Sequence, residues 1–235
     1  MAGALDGVRR VFLVSGPSPE MPTVEAAAVE AFRAANVEYV VKSSILGADP
    51  DAIPFRSLQA AAEEALRASG LPHAVLRPHY FTQNLLGSAE VIRTKGVHED
   101  AACGAPLSMV DLRDVGACAA ALLTGDVRDG ETFDLTGPAA VTGAQVAEVV
   151  SGVTGAEVTA VDLPPAELGA RLAGWGLPEW FAGALVALYE DYAASGATGY
   201  AARVSTAVRE LTGHPARSVA DFVADHVEAF RPGQG

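Results

Sequence analysis

Apolar positions fall into two alternating patterns along the chain. Val11-Phe12-Leu13-Val14 is an unbroken apolar run closed by Ser15-Gly16-Pro17-Ser18-Pro19, which reads as a strand buried on both faces. Thr23 is placed to cap a helix over 24–35, with Glu25 in its first turn and Asn36 at its end. A second run, Tyr39-Val40-Val41-Lys42-Ser43, completes strand, helix and strand in about thirty residues. The rhythm continues with a helix over 55–68, stopped by Ser69-Gly70, and a strand over 73–77. Helices over 81–92 and 114–124, a strand over 131–135, a helix over 142–153 and a strand over 157–161 complete it. This order predicts an α/β fold with a mainly parallel sheet flanked by helices.

After Pro164-Pro165 the pattern is helical throughout, over 166–173, 178–194, 204–211 and 218–230, with Ser218 and Asp221 as a capping pair. The expected organisation is an α/β core over 1–162 and a helical, substrate-side lid over 163–235, packed together as one unit.

Composition narrows the function classes. Half of the 235 residues are hydrophobic and 19% are charged, enough apolar material for a sizeable core. No stretch has the length of a membrane span, and the N-terminus lacks an apolar signal core, so a cytoplasmic protein without membrane contact is expected. Sixteen basic against 29 acidic residues, a net charge of −13, argue against a nucleic-acid partner, which needs a basic face. Cys103 and Cys118 fit neither a disulfide framework nor a metal knuckle, and no His/Cys/Asp cluster has metal spacing.

Several segments together, in order, carry a family signal. They include Val41-Lys42-Ser43-Ser44-Ile45-Leu46-Gly47-Ala48, Glu64-Ala65-Leu66-Arg67-Ala68-Ser69-Gly70-Leu71-Pro72 and Leu76-Arg77-Pro78-His79-Tyr80-Phe81-Thr82-Gln83-Asn84-Leu85. Val110-Asp111-Leu112-Arg113-Asp114-Val115, Phe133-Asp134-Leu135-Thr136-Gly137-Pro138 and Leu211-Thr212-Gly213-His214-Pro215 complete the set. Over residues 10–232 the chain resembles the NmrA-like branch of the atypical short-chain dehydrogenases. The resemblance implies a Rossmann fold that binds NADP(H) or NAD(H) and acts on quinones, small aldehydes or natural products. It also implies that the chain opens at the family's fourth strand, an N-terminally truncated Rossmann-like core. No GxGxxG or GxxGxxG precedes the first strand, and no ribose selector follows it, so independent dinucleotide binding and a cofactor are not expected.

In an open α/β sheet ligands lie beyond the carboxyl ends of the strands. Ser15, Lys42-Ser43-Ser44 and Arg77-Pro78-His79-Tyr80 all fall there. His79 is the leading acid–base candidate, since an unperturbed imidazole titrates near ~6.5; the alternative is a hydrogen-bonded structural histidine. Lys42 is a candidate to stabilise an oxyanion, against a solvated or salt-bridged lysine. Ser44, with Ser43, occupies the region where short-chain dehydrogenases keep a serine. Their Tyr-x-x-x-Lys pair is absent from the helix 56–64, where Glu63 and Glu64 read as a solvated face. Phe81 and Asn84 match the family's pocket motif; Asn84 either bonds substrate or ties down its own loop. Tyr80, Met109, Trp175 and Tyr189 complete the candidate substrate contacts. Asp111 and Asp114 read as a strand-end hydrogen bond and a helix cap.

These residues point to a cofactor-independent enzyme of cyclase, dehydratase, isomerase or ring-opening type, acting on a polyketide-like or aromatic small molecule in secondary metabolism. Two alternatives stand beside it: a non-catalytic ligand-binding or regulatory protein, and the substrate half of a split NAD(P)H-dependent reductase. With the family's first three strands missing, Val11–Val14 becomes a bare apolar edge, which predicts a homodimer through it.

Overall fold

A computed structural model describes residues 2–231. Four strands, β1 (Arg10–Leu13), β2 (Tyr39–Ser43), β3 (His73–Pro78) and, after an excursion, β5 (Glu131–Leu135), form one wholly parallel sheet in the order β1-β2-β3-β5. Helices α1 (Met21–Ala34) and α2 (Pro54–Ala68) connect the first three strands. The excursion holds a 3-10 segment (Thr82–Ser88), α3 (Ala89–Lys95), β4 (Val97–Asp100) and α4 (Leu112–Thr124). Beyond β5 come α5 (Gly143–Thr154), β6 (Thr159–Asp162), α6 (Pro165–Gly174), α7 (Glu179–Ser195), α8 (Ala207–Thr212), α9 (Val219–Asp225) and α10 (Val227–Phe230). Among the described residues no helix is long and apolar enough to cross a membrane, and no His/Cys/Asp/Glu group is placed to hold a metal ion.

The alternation of side chains along each strand divides the core. Val40 of β2 packs with Ala28, Val29, Phe32 and Leu66 under α1 and α2. Tyr39 and Val41 turn the other way, onto Val115, Cys118 and Leu122 of α4. That two-sided burial is why β2 reads as a continuous apolar run. A third cluster lies around β4, α3, α5, α7, α9 and α10.

The α/β architecture agrees with the hydrophobic pattern, and several details differ from it. Thr23 lies inside α1, whose cap position is Glu20, because a proline in the first turn starts the helix early. The predicted helix over 81–92 divides into the 3-10 segment and α3, since Phe81 bridges Val110 in strand fashion and Gly87-Ser88 interrupt the run. The strand near 157–161 pairs with β4 in a separate two-stranded parallel sheet. Val97-His98-Glu99-Asp100 is too short and polar to announce itself as a strand. Asp111, not Asp114, caps α4 by accepting from the Arg113 N–H. Asp114 is fully buried and instead binds the Arg217 guanidinium and its backbone N–H. The helix over 218–230 breaks at His226, and that over 204–211 begins at Ala207, after Ser205 donates to the Asp134 carbonyl.

Two cations, Lys42 fully buried and Arg77 partly so, fix the helices to the sheet. Lys42 shares the face of Val40, where its ammonium donates to Glu25 Oε2 of α1 (2.6 Å), Gln59 Oε1 of α2 (2.9 Å) and the Ser43 carbonyl (3.2 Å). Both Lys42 and Glu25 are closed to solvent. Burial lowers the Lys42 pKa, opposed by Glu25. Arg77, on the same face of β3, binds both oxygens of Glu63, which also takes Arg67 and the Ser44 hydroxyl. Glu63 is therefore buried, contrary to the solvated face expected of it; Glu64 does remain exposed. Burial raises the Glu63 pKa, but the hydrogen bonds from Arg77 and Ser44 outweigh it and hold the carboxyl below its usual range.

Removing one member of a buried pair strands the other, at a typical cost of about 3–5 kcal/mol, whereas replacing both with apolar groups is close to neutral. Glu25→Leu is expected to show that loss in urea unfolding, and Glu25→Leu with Lys42→Met to recover most of it. A single-variant cost no larger than the ~1 kcal/mol of an exposed pair would overturn the reading.

Candidate functional site

Beyond the carboxyl ends of β1, β2 and β3 lies a cavity of about 310 Å³. The strand-end loops supply Ser15, Ser43, Ser44, His79, Tyr80, Phe81 and Asn84 to its wall. Phe55, Leu58 and Gln59 of α2 form one side, and Phe181, Leu188, Tyr189 and Tyr192 of α7 form the roof. Concave, mostly apolar walls with a few placed polar atoms are the usual build of a small-molecule site.

The structure thus gathers seven of the eleven predicted site residues directly, Ser15, Ser43, Ser44, His79, Tyr80, Phe81 and Asn84, and Tyr189 joins them from α7. Lys42 does not reach the wall. Its three ammonium protons already face three acceptors, so it has no donor left for a substrate oxyanion. Ser44 lines the cavity, but its hydroxyl proton is committed to Glu63 at 2.6 Å. Met109 and Trp175 line a neighbouring cavity instead.

Gln59 was not singled out from sequence, and Lys42 gives it a role. An ammonium only donates, so the Gln59 oxygen must face it, which turns the amide nitrogen toward Met21 Sδ (3.6 Å) and the cavity.

His79 is 4% exposed, edge-on to Tyr192 with ring centroids 5.4 Å apart. Its Nδ1 is 3.1 Å from Ser108 Oγ, and Ser108 Oγ is 3.2 Å from the Ala201 carbonyl. The carbonyl only accepts, so both bonds exist together when Ser108 donates to Ala201 and His79 Nδ1–H donates to Ser108. That tautomer leaves Nε2 as a bare, buried acceptor without a partner among the described residues. Burial pulls the His79 pKa down to about 4, despite a smaller upward pull from Ser108. The expectation of an imidazole titrating near neutrality is corrected accordingly: His79 stays neutral at pH 7, an acceptor rather than a general acid. Burial also raises the pKa of Tyr80, Tyr189 and Tyr192.

A folded-state pKa below the unfolded value means the unfolded chain takes the proton first. The stability contribution is whole above pH 6.5 and is lost as pH falls toward 4. Between pH 7 and pH 4 the protein is expected to lose about 3 kcal/mol more than a His79→Gln variant, each pKa unit being worth ~1.4 kcal/mol. Urea unfolding at both pH values checks this; equal losses would mean that His79 is solvated.

The model of the NmrA-like family matches residues 1–223. The chain is 37% identical to a (4-alkanoyl-5-oxo-2,5-dihydrofuran-3-yl)methyl phosphate reductase of Streptomyces griseus, over 97% of this chain and 79% of that protein. It is 32% identical to an NAD(P)H azoreductase of Xenophilus azovorans, over 98% and 79% respectively. Among solved structures, an NADPH-dependent quinone oxidoreductase of Escherichia coli complexed with NADPH superposes with a TM-score of 0.86 at 26% identity, covering 96% of this chain and 79% of that one. These relatives overturn the expectation of cofactor-independent chemistry, because their names attach reduction, and in two of them a nicotinamide cofactor, to this fold and this range of residues. A missing glycine motif bears on how a diphosphate is held and does not exclude the reaction class.

A nicotinamide cofactor would bring a diphosphate to the strand ends, where helix N-termini normally hold it. The diphosphate is not fitted by these residues: α1 and α2, whose N-termini face the strand ends, both open with a proline, and Glu20 places a carboxylate at the cap of α1. Gly16 offers no close wall either, since a side chain there would meet open space. With the family model spanning residues 1–223 and a 37% identical relative matched over 97% of this chain and 79% of its own length, the chain belongs to the NmrA-like family.

Proposed function

We propose that this chain is an NAD(P)H-dependent reductase of uncharged, planar, unsaturated small molecules such as quinones, azo compounds and unsaturated lactones, working in the cytoplasm. The observation that carries the reading is the ring-sized apolar cavity at the strand ends, with Gln59 and His79 in its wall. A reduced nicotinamide, when bound, supplies hydride. The chain's own residues bind and orient. Phe55, Phe81, Phe181 and Tyr192 exclude water and sandwich a flat ring; Gln59 donates to a carbonyl or azo acceptor; His79 Nε2 accepts from a ligand O–H or N–H. Ser15, Ser43, Tyr80, Asn84 and Tyr189 complete the contacts. Lys42 and Ser44 act beneath the wall as positioning residues, Lys42 by turning Gln59 and Ser44 by tying its loop to Glu63. Of the helical segment that follows the core, α7 serves as the lid over the cavity.

The assay is NAD(P)H oxidation with a small quinone, an azo dye and an unsaturated lactone as acceptors. Turnover with at least one of them is expected, and Leu58→Trp, which fills the cavity, is expected to reduce kcat/KM at least tenfold while the chain stays folded by circular dichroism. Absence of turnover with all three would overturn the reading.

We also propose that two copies pair through β1. Among the described residues this strand bonds only β2, and Phe12 and Val14 remain 38% and 62% exposed. Light scattering after gel filtration is expected to give a dimer that Phe12→Asp dissociates; a wild-type monomer at micromolar concentration would refute the pairing.

A further inference from the structure

A second cavity, about 400 Å³, adjoins the first and plays no part in the chemistry above. It lies between the small β4–β6 sheet, α3 and the helices α6 and α7. Leu107, Met109, Val141, Leu163, Leu168 and Leu172 give it apolar walls. Its polar atoms are mostly spent. Asp100 accepts from the Ala102 and Gly104 N–H groups, both at 2.9 Å. Arg171 at the rim is held by Glu99 and Glu167. Among the buried lining side chains one is left over: His98, 6% exposed, whose Nδ1 has no partner among the described residues, whereas Asn84 and Ser88 are at least partly open to solvent.

The two cavities share a wall made by Tyr80, Asn84, Leu185 and Tyr189. At its centre the Tyr189 hydroxyl donates to the Tyr80 hydroxyl across 3.3 Å, a long bond between neutral groups. A side-chain partition of that kind yields by rotamer change, whereas backbone would not.

We propose that the two cavities are halves of one site: the reacting ring occupies the first, and an uncharged apolar tail on the same molecule passes the Tyr80–Tyr189 pair into the second, where a hydroxyl, ether or carbonyl on the tail meets His98. The first half of this rests on the reductase reading above. The tail is not anionic, because the Asp100 carboxylate would repel it and Arg171 is already held by Glu99 and Glu167; it is not cationic, because both Asp100 oxygens are taken by the Ala102 and Gly104 N–H groups. Burial lowers the His98 pKa, against weaker upward pulls from Asp100 and Glu99, which keeps the imidazole neutral. The chamber also excludes bulk at a defined point. A Cβ at Gly143 would come within 2.5 Å of the Asp100 side chain, so glycine is required where α5 begins beside it.

Quinones with alkyl tails of zero to ten carbons test the continuity of the two halves. KM is expected to fall about threefold to fourfold per methylene until the chamber is full, as burial of each methylene predicts, with kcat little changed. Leu168→Trp and, at the opposite wall, Val91→Trp should each flatten that tail dependence, judged within the variant by the ratio of tailed to tail-less KM. A binding measurement independent of turnover uses the two tryptophans. Trp175 lines the second cavity and Trp180 packs on Phe55 and Phe181 beside the first. In Trp180→Phe, 10-bromodecan-1-ol is expected to quench Trp175 saturably, and a ten-carbon quinone to compete with it while a tail-less one does not. Saturable quenching without turnover of any quinone would overturn the reductase reading and leave the chamber as a tail site. A KM independent of tail length, or no saturable quenching, would overturn the bipartite site itself.

Discussion

The fold is organised around charge taken out of water. Lys42 and Arg77 project from neighbouring central strands onto the face covered by α1 and α2, where Lys42 is closed to solvent and Arg77 partly open, and the carboxylates they meet are fully buried. Glu25 descends from one helix and Glu63 from the other, and each carboxylate sets where its helix must lie on the sheet. Apolar contacts such as Val40 with Ala28 and Leu66 supply the bulk of the adhesion, but they permit sliding; ionic hydrogen bonds of 2.6 Å do not. The cavity wall inherits that precision. Gln59 is turned by Lys42, and Ser44 is tethered to Glu63, so the ring-facing surface of α2 is held from underneath.

The alternating pattern made the core strands legible, and β2 was readable to the residue because burial on both faces leaves no polar interruption before Lys42. The buried carboxylates also leave a trace in the sequence. Glu25 falls on the same helical stripe as Met21, Ala28, Val29 and Phe32, and Glu63 on that of Phe55, Ala62 and Leu66. A glutamate on an apolar stripe signals a buried cation opposite it. Lys42 carried the matching signal, two residues along the same strand face from Val40. Position alone put His79 at the site, whereas its protonation state depends on Ser108, Tyr192 and Tyr200, distant in sequence and brought there by tertiary packing. β4 was illegible because its four residues carry little hydrophobic signal and exist as a strand only through pairing with β6.

The relatives and the geometry each supply what the other lacks. The relatives carry the reductase names that a missing glycine motif had argued against. The packing distinguishes residues that touch a ligand from residues that hold those residues still, a division that the order of motifs along the chain does not contain.

The course of the last helices has a consequence for how the protein is made. After roofing the cavity with α7, the chain runs behind the sheet, where Ala207 and Val208 join the α4 cluster, and then returns to put Phe222 and Phe230 among Ile92, Val146 and Val150. Both clusters are thus completed by residues more than sixty positions downstream of the strands and helices they finish. At a synthesis rate of roughly 5–20 residues per second, a nascent chain spends several seconds with β3, α4 and α5 exported and their inner faces still uncovered. The apolar surface exposed in that interval is the natural target of a holding chaperone, and the nascent chain, more than the finished fold, is where aggregation is decided.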